Sequence, residues 1–237
     1  MSDTEGRGLG RIDRSARSGS RLAMVRLLLP LGWLLAAAGY YGPWIDHATA
    51  ALTLSGIDMA EFVKFLPAVQ DGTLAVVRQL FYLPPVAVVV GVALLVASRR
   101  LAYPWPLRLL ALILSVPISL QLLPPAWSPS SLATPEFRLQ ALALGLCWLL
   151  LAASWLLGRL PTWLSGPLTA LLALASGVLP TWQLLLVKPQ VDAVYGTAPS
   201  LGWGFFLCLA GLAIMALAGA LLMLQSRRGD VGLWAGV

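Results

Sequence analysis

The sequence predicts an all-α, polytopic integral membrane protein. Six transmembrane helices are arranged as three hairpins, with a short amphipathic interfacial helix between helices 1 and 2. Three observations carry this reading. The chain of 237 residues is 59% hydrophobic and 11% charged, with a mean hydropathy of +0.82, whereas about 25% of residues are charged in soluble domains. Several apolar runs approach or exceed the ~20 residues that cross ~30 Å of hydrocarbon as a helix. Strand-period alternation is absent, which argues against a membrane barrel. The net charge of +6 does not point to nucleic acid, because the arginines flank apolar runs instead of forming one basic face.

Taken in order, residues 1–21 are rich in Gly, Ser and Arg and are expected to form a disordered, basic cytoplasmic tail. A transmembrane domain over residues 22–228 follows. Its first span covers about 23–41, introduced by Arg11, Arg14, Arg17, Arg21 and Arg26. Leu27 to Ala38 also has the length of a signal-peptide core, and Ala36-x-Ala38 fits a cleavage site. The run continues through Tyr40 and Tyr41 to Trp44, which reads as an uncleaved span ending in an aromatic belt.

The second span covers about 76–98, its outer end kinked or broken by Pro84-Pro85, and Arg99-Arg100 close it. The third covers about 106–123 and contains Pro117. After the loop PPAWSPSSLATPE, Thr134 is the expected N-cap of the fourth span, 137–157, with Pro135 at its first position and Glu136 on the positive end of the dipole. Arg159 marks a tight turn into the fifth span, about 164–187, with Pro180 inside. The segment KPQVDAVYGTAPS is an outer loop, and the sixth span, 201–224, is stopped by Arg227-Arg228 ahead of a short cytoplasmic tail, 229–237.

Charge sets the expected orientation. With both termini cytoplasmic, twelve cations fall on inner segments, and only Lys64, Arg78, Arg138 and Lys188 fall on outer ones. The plasma (cytoplasmic) membrane, such as a bacterial inner membrane, is the expected location. Trp44, Trp127, Trp182 and Trp203 lie at expected outer boundaries, and Trp105, Trp163 and Trp234 at or near inner ones. A weak repeat supports the hairpins: Phe81, Leu83 and Ser98 precede Phe137, Leu139 and Ser154 by 56 positions, and Cys147 precedes Cys208 by 61.

The outer loop 42–75 is the one chemically mixed stretch. Within Ser55 to Pro67, Met59, Phe62, Val63 and Leu66 share one arc of a helix, and Asp58, Glu61 and Lys64 line another. Ser55-x-x-Asp58 resembles a capping box, and Pro67 stops the run. Such a helix lies flat in the interface. It covers the outer ends of the first two spans, docks a partner, or serves as a gate or substrate site, and Trp44, His47, Asp58, Glu61, Phe62 and Phe65 are the candidate docking residues.

His47 is the single histidine, so neither a multi-histidine zinc set nor a bis-histidine haem site can form. It is expected to be structural. Cys147 and Cys208 sit inside apolar runs and read as small hydrophobes. No Asp, Glu, Lys or Arg falls near the centre of any span, which disfavours a charge-coupled transporter. Gln121, Gln183, Ser115 and Ser119 are the notable polar side chains, expected to bridge helices. No phosphate-binding loop, HExxH or GxSxG motif is present.

The expectation is therefore a non-catalytic accessory or scaffold subunit, with no catalytic residues, cofactor or metal. Its partners are the lipid bilayer and other membrane subunits, not nucleic acid. A permease-like protein for an uncharged or amphipathic solute is the alternative, and an intramembrane enzyme the less favoured one.

Overall fold

Long apolar runs fold as helices because a helix satisfies every backbone polar group within the segment. The computed structural model describes residues 3–47, 53–124 and 127–234, with side chains over 19–47, 53–124, 127–128 and 130–226. In chain order the elements are α1 (Asp3–Tyr41), β1 (Pro43–Asp46), β2 (Leu54–Ser55), α2 (Gly56–Phe62), a 3-10 turn (Val63–Phe65) and α3 (Pro67–Gln70). A second 3-10 turn (Arg78–Tyr82), α4 (Leu83–Leu95), α5 (Trp105–Leu120), α6 (Pro129–Leu132), α7 (Arg138–Ala152) and α8 (Ser154–Leu157) follow. The chain then forms α9 (Thr162–Tyr195), β3 (Ser200–Leu201) and α10 (Trp203–Trp234).

Four segments are long and apolar enough to cross a membrane: Gly19–Tyr41, Arg78–Leu95, Thr162–Tyr195 and Trp203–Ser226. This supports a membrane protein in general. The third and fourth expected spans are shorter, at Trp105–Leu120 and Arg138–Ala152. At 1.5 Å per residue they reach only ~22–24 Å. The expected helix 137–157 is divided at Ala153, which leaves the helical region (φ −83°, ψ 4°) between α7 and α8.

The hairpins do not pack as three equal units. The main contact is between the first and last long helices, α1 and α10, and α10 then packs on α9. Close approach explains it. A Cβ on Gly39 would lie 2.1 Å from the Cys208 backbone nitrogen, and one on Gly211 would lie 2.2 Å from that of Ala36. Small residues at spacings of three and four let two helices touch backbone to backbone, where dispersion contacts replace the missing hydrophobic drive between helices in lipid. α1 passes through Ala36-x-Ala38 without a break, with Ala36 fully buried.

Several boundaries moved. Pro84 and Pro85 occupy the first turn of α4, where their missing N–H groups cost nothing, and the break lies upstream in the 3-10 turn. Thr134 does not cap α7. Its hydroxyl turns back to donate to the Ser131 carbonyl at 2.6 Å, and α7 starts at Arg138. Ser128 caps α6 instead, through a reciprocal box with Ser131. α9 runs on to Tyr195 through most of the expected outer loop, supported by the Lys188–Asp192 pair one turn apart and closed by Gly196 at φ +67°.

α1 starts at Asp3, so backbone expected as a disordered tail is helical from that point, and α10 runs past Arg227-Arg228 to Trp234. Residues 1–2 and 235–237 of the two expected tails lie outside the described residues. Two of the four expected bridging side chains do link helices. Ser119 Oγ accepts from Trp148 Nε1 at 2.9 Å, joining α5 to α7, and Gln183 accepts from the Val77 amide at 3.2 Å. Ser115 bonds within its own helix, and Gln121, just past the end of α5, reaches back to the Pro117 carbonyl at 3.5 Å and lies beside Tyr41 of α1.

Candidate functional site: a cap on one end of the bundle

The mixed segment folds into a compact cap. Its floor is a small antiparallel sheet, ordered β2-β1-β3, with Ile45 opposite both Leu54 and Leu201. These strands were not expected, because two-residue pairings carry no alternation a sequence can show. β3 brings the start of α10 against the cap, and Gly202 donates to the Trp44 carbonyl at 3.0 Å.

The helix from Ser55 forms for the expected reason. Asp58 accepts from the Ser55 amide at 2.9 Å and the Ser55 hydroxyl at 2.6 Å, and its own amide donates back to Ser55 Oγ at 3.4 Å. Regular helix ends at Phe62, and one 3-10 turn carries the chain to Leu66 ahead of Pro67. Met59, Ala60, Val63 and Leu66 are buried against the bundle. The apolar arc therefore covers the molecule's own helices.

The six candidate residues have three different fates. Trp44 is a correction: it is 2% exposed, donates Nε1 to the Gly39 carbonyl at 3.2 Å, and packs edge-on against Tyr40, Phe81 and Phe205. It is a core residue of the cap and offers no surface to a partner. His47 and Phe62 converge on the Tyr195 ring at the end of α9, at centroid distances of 5.4 and 6.3 Å. Asp58 is exposed but occupied as the capping partner. Phe65 is 65% exposed, with the Lys64 ammonium 5.4 Å from its ring centroid.

Glu61, on the polar arc and a candidate docking residue from sequence, holds the centre of an ion-pair network. Its side chain is 23% exposed, and its carboxylate meets Lys64 Nζ at 2.6 Å and Arg78 Nη1 at 3.4 Å and accepts from the Tyr82 hydroxyl at 3.3 Å. Arg78, only 12% exposed, also meets the Glu136 carboxylate and carbonyl, each at 3.1 Å, and lies over the Phe137 ring at 5.2 Å. One guanidinium thus ties α2, the start of the second span and the loop before α7 together. Its planar fork suits two carboxylates at once.

Sequence reasoning missed Arg78 and Tyr82 as partners of Glu61, and Glu136 as the second carboxylate on Arg78. The available signal was an arginine at the mouth of an apolar run on the side poor in cations. Gln140, 2% exposed, lies by Tyr82 with neither amide atom in hydrogen-bond geometry.

Outside the network, the Thr73 backbone N–H and then its hydroxyl hold the Asp71 carboxyl below the usual carboxylate range. Among the described residues, no three His, Cys, Asp or Glu side chains gather to hold a metal. Asp58, Glu61 and Glu136 each accept from a cation, a hydroxyl or an amide. No family model, curated protein or solved structure matches this chain.

Proposed function

We propose that the protein is a non-catalytic integral subunit of the plasma membrane that holds a partner membrane protein through the cap. The observation that carries this reading is Phe65. It stands 65% exposed on a segment whose other apolar residues are largely covered, beside a cation and above a network that fixes the backbone. A large aromatic presented on a rigid support is the form that interface anchors take. The docking residues of this proposal are Phe65 with Lys64 and Asp58, and His47 and Phe62 brace them through Tyr195.

The cap faces outward in this proposal, with both termini cytoplasmic, because the opposite end carries the arginines. Single cysteines at Ser130 and Arg159, in a chain lacking Cys147 and Cys208, test the orientation. Impermeant reagent applied from outside should label position 130 only.

The partner is tested by gentle detergent purification of wild type and Phe65→Ser. The expected result is a stoichiometric chain retained by wild type and lost by the variant, at unchanged thermal stability. A wild-type protein that purifies alone as a monomer overturns the reading.

A further inference from the structure

The end of the bundle away from the cap is made of arginine. Arg21, Arg26, Arg99, Arg100, Arg108 and Arg159 lie there, and none forms an ion pair with a carboxylate among the described residues. The acidic side chains that the structure describes all belong to the opposite end. Two of these arginines, Arg26 and Arg108, bond to the buried Tyr103. The Tyr103 hydroxyl donates to the Arg26 carbonyl at 3.2 Å, and Arg108 Nε donates to the Tyr103 carbonyl at 2.6 Å. Arg26 Nη2 reaches the Arg100 carbonyl only at 3.4 Å, and its buried Nε has no partner. Arg100 is spent on Thr162 Oγ1 at 2.9 Å and the Gln225 carbonyl at 3.4 Å. Cations satisfied only by neutral oxygens still attract an anion.

An apolar groove starts about one helical turn beyond Arg26 and next to Arg108, and neither arginine lines it. It encloses about 390 Å³ between α1, α4 and α5, and Pro30, Leu34, Tyr41, Val92, Leu107 and Ile118 are among its lining. Arg26 stands one helical turn before Pro30 on α1, and Arg108 directly follows Leu107 on α5. From Pro30 to Tyr41 is about three turns, or ~16 Å. That length, about half of a ~30 Å hydrocarbon core, matches one acyl chain, and the groove ends at Tyr41 on the cap side. The lining is almost wholly apolar, and the Ser115 hydroxyl within it is already bonded to the Ala111 carbonyl at 2.8 Å.

We infer that this groove is a binding site for one anionic phospholipid. Its phosphate sits between Arg26 and Arg108, and one acyl chain lies along α1 and α5. Charge complementarity selects the headgroup, since basic pockets between helices hold anionic lipids. The groove distinguishes the site from a merely charged surface, because it fixes the chain as well as the phosphate. The inference rests on membrane insertion and is independent of the partner proposed for the cap.

Native mass spectrometry of the full chain in mild detergent tests it, with titration by phosphatidylglycerol and phosphatidylcholine of identical acyl chains. The expected result is one phosphatidylglycerol per chain, at concentrations where phosphatidylcholine does not bind. The double variant Arg26→Ala/Arg108→Ala should weaken binding about thirtyfold, at about 1 kcal/mol for each cation removed. Ala111→Trp fills the groove with every charge in place and should abolish binding, whereas Arg159→Ala should leave it unchanged. Each variant is first shown to be monodisperse with a wild-type melting midpoint. If the double variant fails this check, Arg108→Gln takes its place. Equal binding of the two lipids overturns the inference, as does phosphatidylglycerol binding that survives Ala111→Trp.

Discussion

At the cap end, cations and carboxylates face one another: Glu61 and Glu136 enclose Arg78, and Lys188 pairs with Asp192. At the opposite end, Arg100 finds a threonine hydroxyl and a backbone carbonyl, and Arg108 finds another carbonyl. The difference teaches how to separate fold from recognition in a chain with so few charges. A charge network that closes on itself holds the cap together and leaves an apolar side chain, Phe65, as its available surface. A set of cations that meets no carboxylate among the described side chains leaves its attraction open to whatever anion the surroundings provide, and around a membrane protein that anion is lipid phosphate.

Each of the following substitutions strains or sharpens the contrast, and they are ordered by expected effect. Gly39→Leu should abolish the folded state, measured as loss of monodisperse protein, because it attacks the α1–α10 contact on which both ends depend. Normal folding of that variant would mean that the two ends are not joined through a common pair of helices. Met59→Ala should lower unfolding free energy by about 2–5 kcal/mol, the range for a large buried side chain cut back to Ala. A much smaller loss would place the cap outside the cooperative unit.

Glu61→Gln should cost about 1–3 kcal/mol, because it leaves Arg78 part-buried with only Glu136 beside it. In a double-mutant cycle with Arg78→Ala, most of that cost should disappear. Additive losses would show that the network contributes no coupling.

Arg100→Ala, at the other end, should change stability by under ~1 kcal/mol, since it strands no opposite charge. An effect as large as that of Glu61→Gln would erase the distinction between the ends.

The smallest effect concerns Asp71, whose carboxyl is held below its ordinary range by the Thr73 amide and hydroxyl. A depressed pKa in the folded state contributes stability above the unfolded-state value, and that stability is lost as pH falls through the folded value. Wild type should therefore melt slightly above Asp71→Asn at pH 7, and the gap should narrow as pH falls below the ordinary Asp value of about 3.9. A gap independent of pH would point to packing instead of charge.

Much of the cap was legible because its signals are local. The Ser55–Asp58 box and the arc of Met59, Val63 and Leu66 lie within twelve residues and appear as read, whereas regular helix ends early, at Phe62, and Pro67 opens α3. Trp44 was misplaced because a tryptophan after a Gly-Pro break looks the same whether it meets headgroups or a core. Only Phe81 and Phe205, distant in the chain, decide between the two. Thr134 was misread for a related reason. Thr-Pro-Glu is a good helix start, but the hydroxyl of Thr134 is taken by the turn closing α6.

By itself, then, the sequence determined an all-helical apolar chain, the rough positions of its helices, and the concentration of arginine at one end. Hydropathy and charge asymmetry are sums over neighbouring residues, and no partner is needed to compute them. Tertiary structure alone decided that α1 lies against α10, that β3 joins the cap, and that Glu61 is shared among Lys64, Arg78 and Tyr82. It also decided that an apolar groove opens between α1, α4 and α5. Each of these depends on the distance between residues far apart in the chain. That distance is set by which small side chains let two helices approach, as Gly39 and Gly211 do here.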